Sequence, residues 1–165
     1  MNFFFLDASA LVKRYVAEKG SPQVHALLDG VPHNRIHLLN VGAGEVISIL
    51  VRQRNAGNLS NASFGQAYVN FETEILRAAD VRKQSVSNRL AISSFPLIVA
   101  HSINSTDALI LKSALAIARK LRRAGDDLVL VASDQRLLRA AQAEGLTTFN
   151  PETQDQAALA ALVGP

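Results

Sequence analysis

An α/β sandwich on a mainly parallel sheet of four to five strands is the fold class this sequence predicts, from two apolar runs and the pattern between them. Asn2 to Leu6 (NFFFL) is a short apolar run closed by Asp7, Ala8 and Ser9, and Leu128 to Ala132 (LVLVA) is a second, closed by Ser133 and Asp134. Each reads as a buried strand that passes the chain straight into a helix. Strand-like and helix-like stretches alternate through the rest, the order a parallel sheet with helical crossovers requires. Both strands then end on a carboxylate at the carboxyl edge of one sheet, where open α/β sheets bind their ligands.

After Asp7, the apolar residues Leu11, Val12, Tyr15 and Val16 keep helical spacing. Gly20, Ser21 and Pro22 stop that helix and open the next, with Ser21 as its cap and Pro22 in its first turn. Arg35 to Leu39 (RIHLL) reads as the second strand, and the stretch from Asn40 to Arg54 as a helix that carries Glu45. A turn at Asn55 to Asn58 leads into a longer helix from Ser60 to Ala79, with Phe64, Ala67, Tyr68, Phe71, Ile75 and Leu76 on one face. These two helices are expected to form a protruding hairpin that stands off the sheet. Asp80 to Ser87 reads as a polar connection, and Ser87 to His101 as a helix that Pro96 should kink or split. Ser105 and Thr106 are the expected caps of a helix starting at Asp107, apolar nearly all round and so buried on most of its surface. Gln135 to Glu144 is the last long helix, closed by Gly145, and Leu146 to Phe149 a final short strand. Residues 1–152 are read as one domain, and residues 153–165 as a tail, helical or covered by a partner.

The bulk composition bounds what such a domain does. With 165 residues, 48% of them hydrophobic and 19% charged, the chain is globular and long enough for one core. The absence of cysteine excludes disulfides and zinc-thiolate sites. The first apolar run has no basic flank and is cut short by Asp7, Lys13 and Arg14, unlike a signal peptide. No stretch approaches the length of a membrane span, so a cytoplasmic protein with no membrane association is expected. Net charge is +3, but if four of the 14 acidic residues gather in one pocket, ten remain against 17 basic ones. A cationic body around an anionic pocket suits a polyanion that must meet a metal.

Four acids are candidates for that pocket. Singly, each has an ordinary explanation: Asp7 and Asp134 as helix N-caps, Asp107 in a first turn where the helix dipole favours negative charge, Glu45 as a solvated helix residue. Jointly they fit those roles less well, because Asp107 already has Ser105 and Thr106 to cap its helix, and Glu45 is enclosed by apolar neighbours and needs a partner. Carboxylates held close together repel, and protons or a divalent cation relieve the repulsion. An all-oxygen donor set favours magnesium or manganese over zinc. The four histidines show no metal-binding spacing, and the glycines form no phosphate-cradling loop.

The stretches FFLDASALVKRY, GEVISIL, STDALILKSALAIAR and LVLVASDQRLLRAAQAEGLTTFNPE, in that order and spacing, resemble the PIN-domain ribonucleases, and most closely the VapC-type toxins of type II toxin-antitoxin pairs. The likeness runs from Asn2 to Glu152, with little carried by the part between Gly57 and Ile103. It implies a PIN-like α/β/α sandwich and a nuclease domain over residues 1–152. The family's acidic set falls on Asp7, Glu45, Asp107 and Asp134, which the resemblance makes the catalytic and metal-holding residues for Mg2+ or Mn2+ in the hydrolysis of single-stranded or structured RNA. Ser9 and Ser133 match small polar residues that hydrogen-bond the acids, and Thr106 stands beside Asp107. The expected products carry a 5′-phosphate and a 3′-hydroxyl. Lys13, Arg14, Arg52, Lys112 and Arg136 follow the acids and are candidates for binding RNA phosphates, with ordinary surface solubility as the alternative for each. A cognate antitoxin and a homodimer are further implications of the resemblance. A maturation or turnover nuclease without an antitoxin, and an inactive RNA- or protein-binding module, are the competing readings.

Overall fold

The computed structural model describes residues 1–164, and Pro165 of the expected tail lies outside the described residues. Five strands, β1 (Asn2–Leu6), β2 (Ile36–Leu39), β3 (Arg82–Gln84), β4 (Asp127–Val131) and β5 (Thr147–Phe149), form one sheet in the order β3-β2-β1-β4-β5. Every pairing is parallel. The first strand sits at the centre because both its faces are covered. Phe4 and Leu6 pack into one layer with Val129 and Val131 of β4, while Phe5 packs into the other with Leu128 and Leu130. Burial on both faces explains why NFFFL and LVLVA show no polar alternation.

The helices are α1 (Ala8–Leu11), α2 (Ser21–Gly30), α3 (Asn40–Asn55), α4 (Asn61–Phe71), α5 (Asn88–His101), α6 (Ser105–Arg122), α7 (Gln135–Ala143) and α8 (Gln156–Val163). One layer contains the inner faces of α1 to α4, including Val24, Leu27, Val46, Leu50, Ala67 and Phe71; the other contains those of α5 to α7, including Leu97, Leu111, Ala114 and Leu137. The pair α3 and α4 forms the expected hairpin, its inner face sealed into the core. Leu159 of α8 is buried in that same layer, and the carbonyls of Leu162 and Val163 accept hydrogen bonds from Asn2 and Arg35.

Several local expectations are corrected. Asp80 to Ser87 contains β3, an edge strand whose polar sequence (RKQ) needs to cover only one neighbour. Pro96 neither splits nor ends α5: the helix runs through it, and the carbonyl of Ile92 that loses its donor lies on the solvent side of the helix. The helix after Ser60 changes at Glu72 into a π-helical turn ending at Leu76, earlier than Ala79. Gly20, not Ser21, is the N-cap of α2. Its φ of 91° and the approach of the Pro151 carbonyl, 2.7 Å from where a Cβ would stand, both require glycine. Among the described residues no helix is long and apolar enough to cross a membrane.

Candidate active site

The strand order reverses direction between β1 and β4, and a sheet of this kind opens a crevice at the carboxyl ends of the two strands that flank the reversal. Asp7 is the first residue past β1, its amide donating to the Val131 carbonyl at the end of β4 at 2.9 Å. The site is therefore fixed to the two innermost strands.

Each carboxylate is held by its own local structure. Asp7, 6% exposed, N-caps α1, and its Oδ2 accepts from the Ser9 amide at 3.0 Å and from the Ser9 hydroxyl. Ser133 reaches the acids only through Ser9, not by the direct hydrogen bond expected of it: its amide donates to the Ser9 Oγ at 2.9 Å, which links the loop after β4 to the one after β1. Asp134 N-caps α7, its Oδ1 accepting from the amides of Arg136 and Leu137 at 2.7 and 3.1 Å. Asp107, 8% exposed, lies in the first turn of α6. The N-cap of that helix is Asn104, a correction to the expectation that Ser105 and Thr106 cap it. Asn104 Oδ1 accepts from the Asp107 amide, and its Nδ2 donates to Asp107 Oδ2, each at 2.8 Å. This reciprocal pair makes Asn104 a positioning residue that the sequence reading missed. An Asn three residues before an Asp at a helix start was the signal available.

In Asp107 and Asp134 one oxygen is committed to its own chain segment, and the other has no hydrogen-bond partner among the described residues. Glu45 is half-buried on the second turn of α3.

The electrostatics show that the four acids share one region. The Asp107 carboxyl is pushed up to about 6, first by burial, then by the negative charges of Asp134, Asp7 and Glu45, with Arg136 opposing. Burial raises Asp7 against its hydrogen bonds from Ser9 and Ala8, and Asp134 adds to the rise. Burial and Asp7 raise Glu45, while Thr106 and Arg52 oppose. Carboxylates from the loops after β1 and β4 and from α3 and α6 thus lie within electrostatic reach of one another at one edge.

The donor set fits a hard divalent cation in its chemistry, all carboxylate oxygen with free lone pairs. As the side chains stand, no three or more acidic or histidine groups among the described residues form a ready metal-holding cluster.

The basic candidates separate into groups. Lys13 is 3% exposed and pairs with Glu152 at 2.7 Å and Glu18 at 3.1 Å, so its charge is internally satisfied. Arg14 pairs with Glu74 at 2.6 Å and Asp29 at 2.8 Å, and Glu74 also accepts from the Tyr15 hydroxyl. Both tie the start of the chain to later segments, away from a phosphate. Lys112 lines a groove with Leu97, Leu115 and Arg119, farther along α6 than the acids. Arg52 and Arg136 are exposed and act on Glu45 and Asp107 respectively. Of the histidines, His37 is buried edge-on to Phe3, and burial lowers it to about 4, so it is neutral in the core.

Comparison with known proteins bears on the fold. No family model matches the chain, and no curated protein matches its sequence. Among solved structures, VapC20 of Mycobacterium tuberculosis, described as a sarcin-ricin loop cleaving toxin, shares 18% identity at a TM-score of 0.59, over 92% of this chain and 99% of that one. FitAcB from Neisseria gonorrhoeae shares 16% identity at a TM-score of 0.61, over 92% and 100%. PAE2754 from Pyrobaculum aerophilum shares 16% at a TM-score of 0.61, over 98% of each. At these identities the likeness is one of fold, and it extends over nearly the whole of each chain. The parallel five-stranded sheet and these neighbours together show that the chain has a PIN-like α/β/α fold, the fold it shares with VapC20, FitAcB and PAE2754.

Proposed function

We propose that this protein is a metal-dependent endoribonuclease and acts as the toxin of a toxin-antitoxin pair. The observation that carries the reading is the four-acid edge at the sheet's switch point, where the three aspartates are each fixed by their own segment and Asp7, Glu45 and Asp107 have their proton affinity raised. Asp7, Asp107, Glu45 and Asp134 would hold Mg2+ or Mn2+. Such an ion, when bound, neutralises phosphate charge and acidifies water. Asp134 has one oxygen engaged by the α7 amides, whereas Glu45 is held by no capping bond and retains affinity for a proton. Glu45 therefore takes the proton from the attacking water, and Asp134 orients that water. Asn104 and Ser9 keep Asp107 and Asp7 in register.

The test is incubation of the purified protein with mixed RNA. Cleavage is expected with Mn2+ or Mg2+, to leave 5′-phosphate ends, and to stop in excess EDTA; cleavage that persists in EDTA contradicts the metal role.

A cytoplasmic setting and an antitoxin that covers the acidic edge belong to the same reading, supported by the fold. So does a homodimer, and α5 supports it further. From Leu90 to Ala100 that helix has no charged residue, and Ile92, Phe95 and Val99 stand exposed on it, Val99 by 85%. Two copies of a cationic chain meet there without opposing like charges. Light scattering is expected to give a dimer mass for the wild type and a monomer mass for Val99→Asp; a monomeric wild type removes the proposal.

A further inference from the structure

We infer that the groove between the end of α5 and the outer face of α7 is a phosphate-binding subsite for the RNA strand, held by Arg136 and Arg139. The inference rests on the nuclease reading and adds to it the path the substrate takes away from the acids.

The groove encloses about 440 Å³ and is lined by Arg136, Arg139, His101, Ser102, Ala140 and Ala143. Its two arginines are one turn apart on α7, and both are exposed. Among the described residues neither forms an ion pair, whereas Lys13, Arg14, Arg77 and Arg122 each pair with a carboxylate. Two like charges three residues apart on a helix repel, and an anion spanning both relieves the repulsion. A phosphodiester group, with two equivalent oxygens and a delocalised charge, matches a pair of guanidinium groups.

Position ties the groove to the acidic edge. The Arg136 amide donates to the capping carboxylate of Asp134, and the Arg136 charge reaches Asp107. At the other wall, Ser102 has a φ of 52° and turns the chain from α5 toward Asn104, which holds Asp107. One turn therefore shapes both the groove wall and an acid's support. His101 is fixed there by Glu144, 2.7 Å from its Nε2. Ala140 and Ala143 leave the α7 wall without bulk, the one ring lining the groove, His101, is tied to Glu144, and no Phe, Tyr or Trp stands there for a base to stack on. The subsite thus reads backbone charge and not base identity.

The probe is a fluorescein-labelled 12-nucleotide RNA of mixed sequence, bound in EDTA and followed by anisotropy across a KCl series. Arg139→Gln and Arg136→Gln are each expected to weaken binding about tenfold. Each should also reduce the slope of log Kd against log salt by about 0.7, the share of one single-strand phosphate contact. Arg119→Gln, on the far half of α6, is expected to change neither. If the wild type binds RNA and both α7 variants match it in Kd and slope, the subsite is overturned and the nuclease reading survives. A wild type that neither binds this RNA nor cleaves RNA with Mn2+ overturns both.

Discussion

Asp7→Asn is expected to lower RNA cleavage by about 10³-fold or more, the scale on which loss of a charge-stabilising group at a reacting phosphate is felt. The same change is expected to leave the fold intact. Asn keeps an oxygen for the Ser9 amide and hydroxyl, so the cap of α1 and the Ser9 link to Ser133 persist. It removes a buried negative charge that faces Asp134, Asp107 and Glu45. The thermal midpoint should therefore equal or exceed that of the wild type. Growth arrest on expression, if the protein is a toxin, should vanish with the cleavage. A variant that cleaves at the wild-type rate removes Asp7 from the chemistry, and a variant that unfolds would show that the charge is structural.

The second large effect is on stability against pH. Asp107, ordinarily protonated only below about 4, holds its proton up to about 6 in the folded protein. Between those values the folded state binds more protons than the unfolded chain, so stability falls as pH rises through the window. For Asp107 the loss is at most about 3 kcal/mol, two units at 1.36 kcal/mol each. Asp7 and Glu45, also raised, act with the same sign. A divalent cation that occupies the edge offsets this repulsion in the folded state alone. Calorimetric melting should show Mn2+ raising the midpoint more at pH 8 than at pH 5. Asp107→Asn should flatten the pH dependence between 4 and 6. Equal metal effects at both pH values would separate the metal from the carboxylates. Glu152 works in the opposite sense: Lys13 lowers its carboxyl, so that pair contributes stability lost as pH falls through the acid range.

The parts of this site legible in the sequence are those set by local pattern. Asp7 and Asp134 follow apolar runs and precede helices, and that order alone places both carboxylates at the carboxyl edge of the sheet. Asp107 and Glu45 are singled out by their neighbours, spare caps beside one and apolar residues around the other, and the resemblance assigns them their role; no periodicity marks them, because each depends on a non-local meeting of α3 and α6 with the central strands. Asn104 was missed because Ser105 and Thr106 are equally good caps on paper, and only backbone geometry selects among three adjacent polar residues. The strand β3 was hidden because an edge strand three residues long can be polar throughout. Lys13 illustrates the opposite error. Beside an acid motif it resembles a phosphate contact, yet its partner Glu152 lies at the other end of the chain, and no local rule reveals a pair of that separation. Local order fixed where the edge is, and tertiary contact decided which charges remain free to act there.

The convergence of the acids is tested most directly by carbon-detected NMR titration of the Asp107 carboxyl in the wild type and in Asp134→Asn. The expected midpoint is about 6 in the wild type, moving down toward the ordinary aspartate value when the Asp134 charge is removed. A wild-type midpoint near 4 that Asp134→Asn leaves unmoved would contradict the shared acidic edge and the metal-dependent chemistry built on it.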